Sequence, residues 1–370
     1  QKLIRLDEVR EMRDISIIGA GPAGTYTAEL LARLGHKVDV YEEHSKIGEP
    51  LACTGILTNQ IEHFVDPKNI LVNKVSFARI IAAGQEVRIK LGSGNLVIDR
   101  IGLDRKLAQS CEREGVKIHL QCRYETNTGR SIVIKDLSRN KTCTKDADLI
   151  IGADGPGSAV AKANSIYNNR RWWIGMQVKA DYPNDGDVEF YPTVGTYAWV
   201  VPENKDEARI GVCARSDVKP LFDKFLTRLK IKRIQSSQAG LIPEYDPSVI
   251  TTKGIVRLVG DSATQVKATT GGGIVQALTA GRALADSIER KTHYDSLWRL
   301  RLSRDLWVHL KMRQAMNRFM EKDWERLLTL FQQDKMKDIL ENNDREQPSK
   351  FLLSMALREP RLLTFCKALF

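Results

Sequence analysis

The chain has 370 residues, 42% of them hydrophobic and 28% charged, with a formal net charge of +11. That length implies two or three folding units with cores that need no staples, and the composition excludes disorder, collagen-like and fibrous repeats. No apolar run approaches the roughly 20 residues of a membrane-spanning helix, so no span is expected. The opening QKLIRLDEVREMRD is charged and lacks an apolar stretch, so no secretory signal is expected there. The absence of an initial Met leaves room for upstream residues. Six cysteines, Cys53, Cys111, Cys122, Cys143, Cys213 and Cys366, form neither CxxC nor a Cys/His cluster of zinc-ligand spacing. The expectation is a reduced cytoplasmic protein without a bound metal. The positive excess fits solubility alone, an anionic membrane surface, nucleic acid or an acidic protein partner.

In chain order, DISII (14–18) reads as a short apolar strand, GAGPAG (19–24) as a glycine turn, TYTAELLARLG (25–35) as a helix with a glycine cap, and HKVDVYEE (36–43) as a second strand. This is the start of a parallel sheet. Residues 74–98 are β-like with glycine breaks. RIGLDRKLAQSCEREG reads as a helix, KIHLQCRYE and SIVIKDL as strands, and ADLIIGADG as a buried strand entering a turn. From about 170 to 250 short alternating strands joined by polar turns indicate antiparallel structure. GIVRLVGD (254–261) is another buried strand, and TTGGGIVQALTAGRALADSIER a glycine turn opening a helix. The last 80 residues are helical and charge-rich, and no internal repeat is evident. The expected fold is α/β. A Rossmann-type dinucleotide domain with a parallel sheet (1–73, 99–165 and 250–290) is interrupted by a mostly antiparallel β substrate domain (74–98 and 166–249), and a helical region (291–370) follows.

GxGxxG alone is weak, but here it follows a strand and opens a helix. Gly19 allows the tight turn, Gly21 lets backbone approach a pyrophosphate, and Gly24 lets helix and strand pack closely. The helix start supplies free N–H groups and partial positive charge. Glu42, 18 residues past Gly24 at the end of the second strand, is placed to accept both hydroxyls of an adenosine ribose. A second motif, VRLVGDSATQVKATTGGGI (256–274), ends a strand in Gly260-Asp261 and opens a helix at Gly271–Gly273. NAD needs no such element. FAD does: its ribityl chain wants a carboxylate, here Asp261, and a helix N-terminus stabilises the anionic reduced ring. A third motif, GADGPGS (152–158), adds Asp154-Gly155, which also fits a plain strand-to-turn pair.

With these three motifs, residues 14–290 resemble the p-hydroxybenzoate-hydroxylase-type flavoproteins. IGEPLACTGILT (47–58) is similar to a segment of the geranylgeranyl reductases, especially the archaeal enzymes that saturate digeranylgeranylglycerophospholipids. Those carry a Cys about eleven residues after the ribose carboxylate, as Cys53 stands after Glu42. A Tyr-x-Trp-x-Phe-Pro stretch followed by Gly-x-Gly is matched by Tyr197, Trp199, Pro202 and Gly211, with Val201 in place of Phe and Cys213 in place of the second Gly. The resemblance implies further FAD contacts at Ala23, Thr54 and Ile56 beside Cys53, and Arg100. It also implies backbone of Tyr124 at the adenine, and Gly273 and Ile274 under the flavin. Arg100 has its own sense as a guanidinium for pyrophosphate or ribityl oxygens, and equally reads as a surface Arg beside Asp99.

Saturating an isolated C=C needs a hydride and a proton on adjacent carbons, so an acid near the flavin is required. Cys53 serves as that acid or as a small apolar filler. Trp172, Trp173, Tyr191, Tyr197 and Trp199 line an apolar tunnel or fill the core. No second GxGxxG follows a strand, so the reductant is expected to be transiently docked NAD(P)H or a ferredoxin-like protein. On a helical projection of 298–320, Trp298, Leu302, Leu306, Leu310, Met316 and Met320 share one face. Arg301, Arg304, Lys311 and Arg318 lie largely opposite, while Arg299 and Arg313 break the pattern. Residues 291–320 hold seven basic and two acidic residues. Such a helix suits an anionic membrane surface or the protein's own core, and no recognition motif points to nucleic acid. The expected activity is FAD-dependent saturation of geranylgeranyl double bonds on ether phospholipid precursors by a cytoplasmic, peripherally membrane-bound enzyme. An aromatic-ring monooxygenase of the same fold is the rival.

Overall fold

In the computed structural model, which describes residues 12–343 and 345–369, two layers flank a parallel sheet. Its strand order is Thr252–Lys253, Val256–Leu258, Leu149–Gly152, Asp14–Ile18, Lys37–Tyr41, Lys117–His119, parallel except for the first pair. Side chains alternate along each strand, so each strand serves two cores. Ile15, Ile17, Val38 and Val40 pack against Ala28 and Leu31 of helix Pro22–Arg33 and Ala280 and Leu284 of helix Ile274–Glu289. Ile18, Tyr41 and Ile150 face the other way, onto Tyr124, Ile132 and Ile134 of a three-stranded sheet spanning 122–146. The two long helices approach closely because residue 281 is Gly: an added Cβ would stand 2.5 Å from Thr27 Oγ1.

The second sheet has eight strands in the order Ile234–Pro243, Trp172–Asp181, Glu207–Ala214, Tyr197–Pro202, Val188–Tyr191, Leu71–Ala82, Gln85–Ile98, Ile56–Thr58. It is antiparallel apart from the Val188–Tyr191/Leu71–Ala82 pair. Helix Val218–Arg228 seals one face with Phe222 and Phe225. Helices Glu321–Phe331 and Asp334–Asn342 lean on the hairpin 71–98, with Trp324 and Leu328 against Val87 and Ile89.

Two expectations are corrected. KIHLQCRYE is not one strand: Gln121, at φ +55°, turns the chain, leaving Lys117–His119 in the parallel sheet and Cys122–Thr128 in the three-stranded one. Nor is 298–320 one continuous helix. A π-type turn over Arg299–Ser303 separates Tyr294–Trp298 from Arg304–Met316, and the helix stops there. The stripe faces inward from Trp298 to Leu310, while Met320 lies exposed before the next helix. Trp298 and Leu306 are buried in the main core with Leu310, and Trp298 Nε1 donates to Thr251 Oγ1 at 2.8 Å. Burying an indole that also finds an acceptor inside is worth more than resting it on a surface. Arg299 donates to the carbonyls of Pro247 and Val249, and Arg301 pairs with Asp286 at 2.5 Å.

Candidate cofactor and substrate site

The three glycine motifs meet at the C-terminal ends of neighbouring parallel strands, where open α/β sheets bind ligands. The reason is steric. Gly19, at φ +100°, lies so close to the third motif that an added Cβ would meet Ala153 O at 2.4 Å. A Cβ on Gly24 would stand 2.0 Å from Gly19 O, and one on Gly260 would meet Ala23 Cβ at 2.9 Å. Around Gly21, by contrast, space is open. Helix Pro22–Arg33 starts there with Pro at its first position and no side-chain cap, so its first N–H groups point into that opening.

Glu42 sits at the strand end beside this loop. One carboxylate oxygen accepts from Ala20 N at 2.8 Å, the other from His44 N at 3.0 Å and His44 Nδ1 at 2.6 Å. Its carbonyl accepts from Cys122 N at 2.8 Å, which brings the strand bearing Tyr124 to the same corner. The Tyr124 side chain is buried and donates to Asn127 at 2.5 Å. Asp154 is likewise engaged: its oxygens accept from Ser158 Oγ at 2.7 Å and Val160 N at 3.0 Å, capping helix Ala159–Ala163. Its carboxylate serves the turn.

Arg100 and Asp261 are both enclosed, and the Arg100 charge is felt at Asp261. Burial pushes the Asp261 carboxyl up to about 6, opposed by the Arg100 charge. Burial also works against the Arg100 charge, but Cys53 and Asp104 beside it prevail and raise its pKa. Arg100 Nη2 donates to Asp104 at 2.9 Å, while its Nε is buried without a partner. Arg100 is therefore no surface residue. It carries a buried donor that no protein group satisfies.

The segment carrying Cys53, Thr54 and Ile56 is held from the second sheet. Thr54 Oγ1 donates to Gln177 Oε1 at 2.7 Å, the same oxygen that Trp199 Nε1 reaches at 2.8 Å. Gln238 Nε2 donates to Cys53 O at 3.0 Å, and Arg209 to the carbonyls of Thr54 and Ile98. Tyr197 OH donates to Thr270 O at 2.7 Å, so a side chain at Gly271 (φ +68°) would collide with that hydroxyl. Burial raises the Tyr197 phenol well above its ordinary value, and pushes the neighbouring Cys213 thiol up to about 12. Gly273 and Ile274 open helix Ile274–Glu289 beside Asp261, an added Cβ on Gly273 standing 3.1 Å from Asp261 Oδ1.

Of the five aromatic residues, Tyr197 and Trp199 stand together here, centroids 5.5 Å apart, with Phe190 stacked on Tyr197. The others do not line a tunnel. Trp173 is fully buried, Tyr191 packs against Phe225 on the helix-covered face, and Trp172 is at the surface. Gln177, Gln238, Arg209 and Phe190 carry no local pattern that marks them. Among the described residues no helix is long and apolar enough to cross a membrane, and no three His, Cys, Asp or Glu gather as metal ligands.

Residues 17–55 match the family model for an NAD(P)-binding Rossmann-like domain. The chain is 27% identical to the digeranylgeranylglycerophospholipid reductase of Methanothrix thermoacetophila, covering 87% of this chain and 92% of that one. It is also 27% identical to digeranylgeranylglycerophospholipid reductase 2 of Methanopyrus kandleri, covering 96% and 99%. Among solved structures, a geranylgeranyl bacteriochlorophyll reductase-like protein from Thermoplasma acidophilum superposes with a TM-score of 0.81 at 20% identity, over 97% of this chain and all of that one. The flavin-dependent halogenase CmlS reaches 0.68 at 15%, over 96% and 78%. These last two likenesses establish the fold.

Proposed function

We propose that this chain, a member of the geranylgeranyl reductase family of FAD-dependent flavoproteins, saturates carbon–carbon double bonds of geranylgeranyl chains on archaeal-type ether phospholipid precursors. The observation that carries this is the meeting of the Cys53 segment, the Tyr197–Trp199 pair and the Gly271–Gly273 loop at one end of the dinucleotide cleft. The relatives' shared name supports the substrate.

The residues fit FAD. Open space at Gly21 and the partnerless Nε of Arg100 are what a long phosphate-bearing ligand would use. Gly19, Gly21, Ala23 and Gly24 take the pyrophosphate at the helix start, Glu42 the ribose, and Tyr124 backbone the adenine. Arg100 and Asp261 take the ribityl chain; Thr54, Ile56, Gly273 and Ile274 border the ring. Asp154 contributes backbone. When bound, reduced FAD supplies the hydride.

The chain's own residues do the rest. Gln177 ties Thr54 to Trp199 and so fixes the Cys53 segment against the aromatic pair, which excludes water from an alkene. Cys53 gives the proton to the carbon next to the one that accepts hydride, and its Arg100 neighbour holds it in place. Electrons come from transiently docked NAD(P)H or a ferredoxin-like donor. The enzyme works in the cytoplasm at the membrane surface. The buried stripe having turned inward, the contact face is the outer one: Leu300 (82% exposed), Arg304, Trp307 (49% exposed) and Lys311, spaced along one side of 300–311 with Lys311 Nζ over the Trp307 ring.

The test is anaerobic. Dithionite-reduced protein incubated with geranylgeranylated ether lipid should add two hydrogens per double bond reduced, by mass. A product that forms only with oxygen and carries a hydroxyl would make the enzyme a monooxygenase instead.

A further inference from the structure

A carboxylate far along the chain is buried against the flavin motif. Glu346, between helices Asp334–Asn342 and Pro348–Arg358, is 8% exposed. It accepts from Thr58 Oγ1 at 3.0 Å, Lys267 Nζ at 2.5 Å and Gln276 Nε2 at 2.6 Å. Those donors come from three places. Thr58 ends the short strand that follows the Cys53 segment, Lys267 lies between Asp261 and the glycine loop, and Gln276 is in the first turn of helix Ile274–Glu289. A carboxylate leaves water only when donors and an opposite charge replace its hydration. All three replacements here belong to elements around the proposed ring site.

Lys267 is itself part of the loop. Its N–H donates to Gly272 O at 3.0 Å, its carbonyl accepts from Gly271 N at 2.8 Å, and an added Cβ on Gly272 would meet Lys267 Cε at 2.8 Å. The segment around Glu346 is pinned on both sides: Arg345 Nη2 donates to Asn95 Oδ1 at 2.7 Å, and Ser349 N to Asp305 Oδ1 at 3.0 Å. Burial opposes the Glu346 charge, yet Lys267 and the other donors hold its carboxyl below its ordinary value.

We propose that Glu346 is a positioning residue and that 345–349 is a latch: by gripping Lys267 and Gln276 it holds the Gly271–Gly273 loop and the following helix start in the shape that receives the flavin ring. The loop's own backbone bonds close a turn; Tyr197 and Arg313 hold the carbonyls of 268–270 before it, and the Glu346 carboxylate ties Lys267 and Gln276, on either side of it, to the C-terminal region. Cofactor binding and docking of the C-terminal region are then two readings of one equilibrium, so FAD protects the tail and an intact latch tightens FAD. This rests on the FAD assignment above.

The experiment titrates FAD into apoprotein of the wild type, Glu346→Gln, Lys267→Met and the double variant, following flavin fluorescence and its visible spectrum. Limited proteolysis of the C-terminal region is run with and without FAD. Circular dichroism checks each fold. Glu346→Gln should weaken FAD binding by about tenfold, the order of one lost charge-assisted hydrogen bond, with an unchanged far-ultraviolet spectrum. The double variant should recover part of that loss, because Lys267 no longer faces a missing charge. FAD should slow cleavage of the wild-type tail more than that of Glu346→Gln. Equal FAD affinity and spectrum in wild type and Glu346→Gln, with FAD-independent tail cleavage, would overturn the latch and leave FAD binding standing. Should Glu346→Gln not fold, Lys267→Met and the double variant decide alone: both binding FAD as wild type does would overturn it. A wild type that takes up no FAD ends the cofactor assignment and the latch together.

Discussion

The cleft is built differently at its two ends. At the first glycine turn, backbone does nearly everything: Gly19, Gly21 and Gly24 place carbonyls and N–H groups, and neighbouring strand ends crowd every position except the one left open. At the Gly271–Gly273 loop, side chains from distant elements do the work. Arg313, 1% exposed, donates to the carbonyls of Ala268 (3.0 Å), Thr269 (2.5 Å) and Thr196 (3.0 Å). His309 shares a 2.8 Å bond with Thr269 Oγ1, Tyr197 reaches Thr270, and Glu346 grips Lys267. A backbone-built site is rigid and local. A site held by long side chains depends on whether other parts of the chain are docked, which is the premise of the proposed latch.

Substitutions at the two ends sharpen this contrast. Gly24→Val has nowhere to go, since even its Cβ would overlap Gly19 O; urea denaturation should show more than about 3 kcal/mol lost, with no FAD uptake. Retained stability there would mean the turn adapts. Arg313→Met removes the donor to two carbonyls leading into the loop, Ala268 and Thr269, and to Thr196, and should cost about 2–3 kcal/mol, with a larger fall in FAD affinity than Arg299→Met, whose two carbonyl acceptors lie outside the loop.

Asp261→Asn should work in the opposite direction. Its carboxyl is raised from 3.8 to about 6 by burial in the folded apoprotein. A raised folded value means that the favourable contribution is present below the unfolded value and is lost as pH rises through about 6. At pH 7 the amide should therefore stabilise the apoprotein, by up to about 2 kcal/mol in thermal unfolding, and that gain should vanish near pH 4. The same variant should bind FAD more weakly. A gain in both stability and affinity would remove Asp261 from the cofactor site.

The smallest effect on stability belongs to the exposed face of the tail. Leu300→Ser with Trp307→Ser should change unfolding free energy by no more than about 0.5 kcal/mol each. Their combination should nonetheless reduce flotation with anionic vesicles, as should Arg304→Gln with Lys311→Gln. Binding that is equal on neutral and anionic vesicles would remove the electrostatic part of that contact.

What the amino-acid order determines here follows from local physics. A strand, GAGPAG and a helix impose the first turn because only Gly tolerates the carbonyl of Ala153 at Gly19 and the carbonyl of Gly19 at Gly24. Gly260-Asp261 and Gly271–Gly273 are legible for the same reason, and so is Glu42 at a strand end. Alternating apolar residues mark both sheets. The tertiary structure decided the rest, because an amphipathic pattern states that a face is buried and not against what. The Trp298–Leu310 stripe carries a pattern that fits a membrane face and the protein's own core alike, and it docks on the core. Trp173 and Tyr191 look like Tyr197 in sequence, yet of these three only Tyr197 donates to the segment before Gly271–Gly273. Asp154 reads as a ligand group and caps a helix. Glu346 and Arg313 sit in charge-mixed sequence, where such residues are ordinarily solvated. Their burial comes from pairing across tens to hundreds of residues, and no period or spacing along the chain encodes a partner at that separation.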